Sequence, residues 1–115
     1  MYFLIFREDI EFRGATFPIG GDATIDGLVT VPNILREFIP SNRLHGVSHG
    51  MGFRDQLPEN QLNVAMTEDG SKSMPGQAAE LVRRIKRLKD VDTWNTWTLL
   101  IITIGTEEVY YVFMN

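Results

Sequence analysis

"TLLIITIGTEEVYY", residues 98–111, contains the run that decides the fold. Leu99, Leu100, Ile101, Ile102 and Ile104 form a short apolar segment without polar alternation, which suits a strand covered on both faces. Strands of that kind belong to parallel sheets lying under helices. The run ends at Gly105 and then meets Glu107 and Glu108, so the question it raises is what the end of this strand carries.

Working outward, "LNVAM" at residues 62–66 is a second strand candidate and the aromatic run "YFLIF" at residues 2–6 a third, with a short strand near residues 44–47. "MPGQAAELVRRIKRLK" predicts a helix of several turns: Pro75 sits in the first turn, and Ala78, Leu81, Val82, Ile85 and Leu88 make one stripe. "TVPNILREF" predicts another, with Thr30 as cap, Pro32 in the first turn and Pro40 as terminator. "RGATFPIGGDATIDG" reads as irregular, with a turn at Gly20 and Gly21, and residues 41–61 read as a long loop. Strands alternating with helices imply an α/β sandwich with a parallel sheet, in which ligands gather outside the carboxyl ends of the strands. Attention therefore falls on the residues just after Met66 and just after Ile104.

The chain has 115 residues, 43% of them apolar, which fits a single domain over 1–115. A net charge of −4 argues against general nucleic-acid binding, which needs clustered Lys and Arg on the phosphates. The basic cluster "RRIKRLK" at residues 83–89 reads as the solvated face of an amphipathic helix. With no cysteine there is no disulfide framework and no thiolate nucleophile, and the compartment stays open. "MYFLIF" is cut short by Arg7, Glu8 and Asp9, so it shows neither the basic start nor the length of a signal-peptide core. No run approaches the roughly twenty apolar residues of a membrane span.

Two acidic loops stand at the strand ends, "TEDG" at residues 67–70 and "GTEE" at residues 105–108. Solvated surface loops are the plainer reading; a divalent-cation site from Glu68, Asp69, Glu107 and Glu108 is the competing one, since hard cations take carboxylate oxygens. His45 and His49 have metal-site spacing for a helix, but Gly46, Gly50 and Gly52 argue against one, so both read as loop histidines. Ser48 beside His49 is not a catalytic pair by adjacency, because a serine nucleophile needs an oriented base and an oxyanion hole. "GSKS" at residues 70–73 lacks the spacing of a phosphate loop.

The order of segments "IGGD", "PNILREF", "LNVA" and "MPGQA", followed by "WTLLIITIG", resembles the middle of the phospholipase B group of GDSL lipases, within the SGNH hydrolases. The likeness covers residues 11 to about 109. It implies a three-layer α/β/α fold with a flavodoxin-like parallel sheet, incomplete here, and a parent that hydrolyses carboxylic esters of phospholipids and lysophospholipids. It implies no metal or organic cofactor. It also implies a secretory or membrane-associated parent. In that family a "GDS" serine attacks the ester, a late "DxxH" supplies the base and its orienter, and a glycine and an asparagine complete the oxyanion hole.

Carried over position by position, most of this chemistry is missing. No "GDS" occurs, because "MYFLIFREDI" stands where the nucleophile segment would lead into "EFRG", and no "DxxH" occurs through Asn115. The family's oxyanion glycine falls on Glu68, with Gly70 close by. Its "GxND" falls on Gly105, Thr106, Glu107 and Glu108, so Glu107 replaces the asparagine. An amide donates to a developing negative charge whereas an ionised glutamate only accepts, and losing one such donor costs about 3 kcal/mol of transition-state stabilisation. The vestigial oxyanion positions are thus Glu68, Gly70, Gly105 and Glu107, with no catalytic nucleophile or base. The expectation is a truncated or degenerate lipase, inactive as this chain; the alternative is a non-catalytic module that binds lipid or protein on the same scaffold.

Overall fold

The computed structural model describes residues 10–53, 56–66 and 70–114. Its regular elements are short: β1 (Ile10–Glu11), α1 (Val31–Leu35), β2 (Gly52–Phe53), α2 (Met74–Arg87) and α3 (Thr106–Met114), with 3-10 turns at Arg13–Ala15, Ser41–Arg43 and Ser71–Ser73. β1 and β2 pair antiparallel, Ile10 with Phe53 and Glu11 with Gly52. The strand expected at residues 2–6 lies outside the described residues.

Both expected helices form. α1 begins where Thr30 accepts from the Asn33 N–H at 3.2 Å, the N-cap arrangement that satisfies an otherwise orphan donor. α2 covers most of the expected run, with Pro75 in the first turn where its missing N–H is harmless. Helix α3 has no counterpart among the expected elements: Thr, Val, Tyr and Phe favour strands, but Glu108 in its first turn complements the positive end of the helix dipole.

The expected strands at residues 62–66 and 99–104 are not hydrogen-bonded into a sheet. Parallel pairing among the described residues consists of two isolated bridges, Gly20 with Ser48 and Gly46 with Gln61, which set residues 46–48 between residues 19–21 and 61–62. Gly21 N–H donates to Ser48 O, Ser48 N–H to Ile19 O and Leu62 N–H to Gly46 O, at 2.8 to 3.0 Å. The short strand expected near residues 44–47 is thereby reduced to single bridges, and Gly20 and Gly21 serve close backbone approach more than a turn. A Cβ on Gly20 would stand 2.5 Å from the Gly14 carbonyl oxygen and 2.6 Å from that of Thr16, backbone that cannot swing aside, so only glycine fits there.

What holds this arrangement is polar. Among the described residues no large hydrophobic side chain is buried, whereas Arg13, Thr30, Asn33, Ser48, Gln61 and Arg84 are, with Thr30, Asn33 and Ser48 fully so. Arg13 pairs with Glu11 and donates to the carbonyls of Asn63 and Ala65. Asn33 donates to the carbonyls of Asp22 and Leu28, both at 2.9 Å, and accepts from Arg36, which also reaches Gly21 O at 2.8 Å. Arg84 of α2 donates to Pro58 O at 2.7 Å and to Gln61 O and Leu57 O, both at 3.3 Å. The cluster at residues 83–89 is therefore not wholly a solvated face: one of its arginines docks the helix. The helix stripe stays only partly covered, with Val82 half exposed.

Candidate functional site

Two of the sequence-predicted loops meet. Gly105 closes the apolar run with φ +108°, a left-handed conformation that glycine alone adopts without strain, and its carbonyl accepts from Val109 N–H at 3.0 Å as α3 begins. From the first turn of α3, the Glu108 carboxylate accepts the backbone N–H of Ser71. The same oxygen stands so close to Gly70 that a Cβ there would lie 3.0 Å from it. Gly70 and the Gly105 turn thus come to one place.

That place is acidic and accepting. The Ser71 backbone N–H, with help from the Ser71 side chain, holds the Glu108 carboxyl below its ordinary value, so the group is an anion at neutral pH. A carboxylate that consumes a backbone donor leaves that donor unable to serve another anion. Glu107 lies on the backbone of α3, its side chain outside what the structure describes; Glu68 and Asp69 lie outside the described residues. Among the described residues no group of three or more His, Asp or Glu side chains is placed to hold a metal ion.

A second cluster has no counterpart in the expectations. Both Asp22 carboxylate oxygens accept from Gly50 N–H at 3.0 Å, and His49 Nδ1 lies 3.5 Å from Asp22 Oδ1. Gly14 lies beneath, with the Asp22 carboxylate where a Cβ would be. The aspartate of "IGGD" therefore clips the glycine-rich loop; the paired glycines before it were the signal of close approach. His45 and His49 do lie in a loop, and both line an open cleft of about 380 Å³ with Glu59, Asn60, Arg87 and Lys89. Ser48 is fully buried and its Oγ has no partner, so it is neither exposed nor bonded to His49.

No family model matches the chain, and no solved structure matches it. It does match membrane-associated phospholipase B1 of mouse, 36% identical over 99 residues, covering 86% of this chain and 6% of the mouse protein. The rat protein of the same name is 32% identical over 103 residues, 88% of this chain and 7% of the relative. The human one is 33% identical over 101 residues, 86% of this chain and 6% of the relative. The chain thus spans about 6–7% of the length of the curated relatives it matches, and across that span it is related to phospholipase B.

Proposed function

We propose that this chain is the central part of a GDSL-type lipase domain of the SGNH hydrolase class, with a three-layer α/β/α parent fold, and that it is itself catalytically inactive. The phospholipase B relation across 86% of the chain carries the reading, together with the segment order that resembles GDSL lipases. The parent reaction is carboxylic ester hydrolysis of phospholipids and lysophospholipids. In this chain the vestigial oxyanion loops hold Gly70 and Gly105, but a carboxylate from Glu108 occupies the Ser71 N–H, and Glu107 stands at the position of the asparagine donor. With no "GDS" serine and no "DxxH" among its residues, acyl transfer lacks its nucleophile and base.

Assay of the purified chain on a short-chain p-nitrophenyl ester and on lysophosphatidylcholine tests this. The expected result is no hydrolysis above buffer; turnover abolished by a serine-directed fluorophosphonate would overturn it. A second reading, a non-catalytic module binding lipid or protein, is favoured by the broad apolar surface, which includes Trp94, Trp97 and the run at residues 99–104. Vesicle co-sedimentation separates the two.

A further inference from the structure

The docking of Arg84 accounts for only part of the basic stretch at residues 83–89. Its last cations, Arg87 and Lys89, line the open cleft of about 380 Å³ together with His45 and His49 of the glycine-rich loop. Guanidinium and ammonium groups carry donors and no acceptor, and each imidazole adds a ring N–H. One carboxylate, that of Glu59, lines the same cleft. It is shared between Arg83 at 3.5 Å and Arg87 at 3.8 Å, and the second separation is too long for a hydrogen bond, so it does not use up the Arg87 fork. In a chain of net charge −4, the cleft gathers cationic donors.

We propose that this cleft binds a phosphate monoester. Four donor groups, two from the loop and two from the end of α2, suit the three free oxygens and double charge of a monoester better than the two oxygens of a planar carboxylate. The volume falls at the lower end of small-molecule pockets, about 300–1,000 Å³, which leaves room for an organic body beside the phosphate. Val47 and Leu88 line that remainder with apolar surface. The carbonyl end of α2 opposes an anion, but its field is confined to the last turn, where Arg84, Lys86 and Arg87 already stand against it.

The cleft is separate from the place where Glu108 meets Ser71, and the inference does not rest on the lipase reading. Ser71 lies just before α2 and Arg87 ends it, so the 14 residues of the helix set the two places about 20 Å apart at roughly 1.5 Å per residue. In a phospholipid the esters are only a few bonds from the phosphate. One lipid therefore cannot hold its phosphate in the cleft and its ester at Gly70.

Titration of the full chain with inorganic phosphate and with butyl phosphate at constant ionic strength, followed through the amide resonances of Gly46 and Val47, tests the site. The expected result is saturable binding of both, at least ~3-fold tighter for butyl phosphate, over a chloride control that gives none. Arg87→Gln is expected to weaken binding at least ~10-fold, and Lys89→Gln or His45→Gln at least ~3-fold. Lys86→Gln, on the same helix but not among the residues that line the cleft, is expected to change it less than ~1.5-fold. All four side chains are exposed, and the far-UV helix signal reports that each variant keeps α2. Co-sedimentation with phosphatidylcholine vesicles, with and without phosphatidic acid, identifies the source of the monoester. An increment from phosphatidic acid that Arg87→Gln abolishes assigns it to a lipid headgroup, and butyl phosphate binding without that increment assigns it to a soluble molecule. Binding of neither the phosphates nor phosphatidic acid, binding indifferent to Arg87→Gln and Lys89→Gln, or a loss in Lys86→Gln as large as in Lys89→Gln would each overturn the inference.

Discussion

Buried arginines take the place that apolar side chains occupy in most small domains. Arg84 is 7% exposed, and its guanidinium spans three carbonyls of residues 57–61 while Glu80 neutralises it at 2.7 Å. Replacing Arg84 by Met keeps the stem and removes the fork; hydrogen bonds from a charged donor are worth about 1.5–3 kcal/mol, so a loss of about 2 kcal/mol is expected in urea unfolding. Arg84→Lys is expected to recover less than half of it, since a point ammonium cannot bridge the same carbonyls. Gly14 carries the second residue-scale prediction. A Cβ there would meet Asp22 Oδ2 at 2.1 Å and Gly50 N at 2.4 Å, so Gly14→Ala must displace the Asp22 clip. Overpacking of this kind costs about 1–3 kcal/mol, and a midpoint shift in urea with faster exchange at Gly50 N–H checks it. At this scale the sequence showed the Thr30 cap and the glycine at position 105. It did not show that Asp22 holds Gly50 or that Glu108 holds Ser71, because a side chain bonding a backbone N–H tens of residues away leaves no periodic trace.

Among the elements, α2 and α3 are each anchored by an acid whose charge matters. The Arg83 guanidinium beside Glu80, joined by that of Arg84, pulls the Glu80 carboxyl from 4.5 down to about 2, and Arg83 is raised in turn. Glu108 is lowered by Ser71. A carboxyl depressed by folding contributes stability that is complete above its ordinary value and lost as pH falls through the folded one. Stability is therefore expected to decline between pH about 4.5 and about 2, read as a falling urea midpoint. Glu80→Gln should flatten part of that decline, and added salt should shrink it, since Glu80 is partly exposed. The helices α1 and α2 were legible because caps, proline placement and a 3.6-residue stripe are local signals. Residues 62–66 and 99–104 were legible only as apolar runs: a strand also needs a neighbour, and pairing depends on chain far away or on another molecule. No element was expected over α3, whose Thr, Val, Tyr and Phe give no helical signal by propensity.

For the whole molecule, an inventory of what is buried decides both chemistry and stability. If the proposed reading holds, Glu107→Asn is expected to leave ester hydrolysis at background, because the substitution supplies neither nucleophile nor base, and a fluorogenic short-chain ester checks this. Stability follows from the same deficit. Among the described residues the fully buried side chains are polar, while nineteen large hydrophobics are exposed, and the radius of gyration is 16.1 Å against about 13 Å for a typical domain of 100 residues. Denaturant sensitivity scales with the area that unfolding newly exposes, and much of the apolar area of this chain is exposed already. The urea m-value is therefore expected at or below about 1 kcal/mol/M, the bottom of the range for small proteins. Bis-ANS fluorescence should already be high before denaturant is added. An m-value of about 2 kcal/mol/M or more would mean that the chain closes an apolar core, and the polar clamps at Arg13, Asn33 and Arg84 would then be accessory to it rather than its substitute.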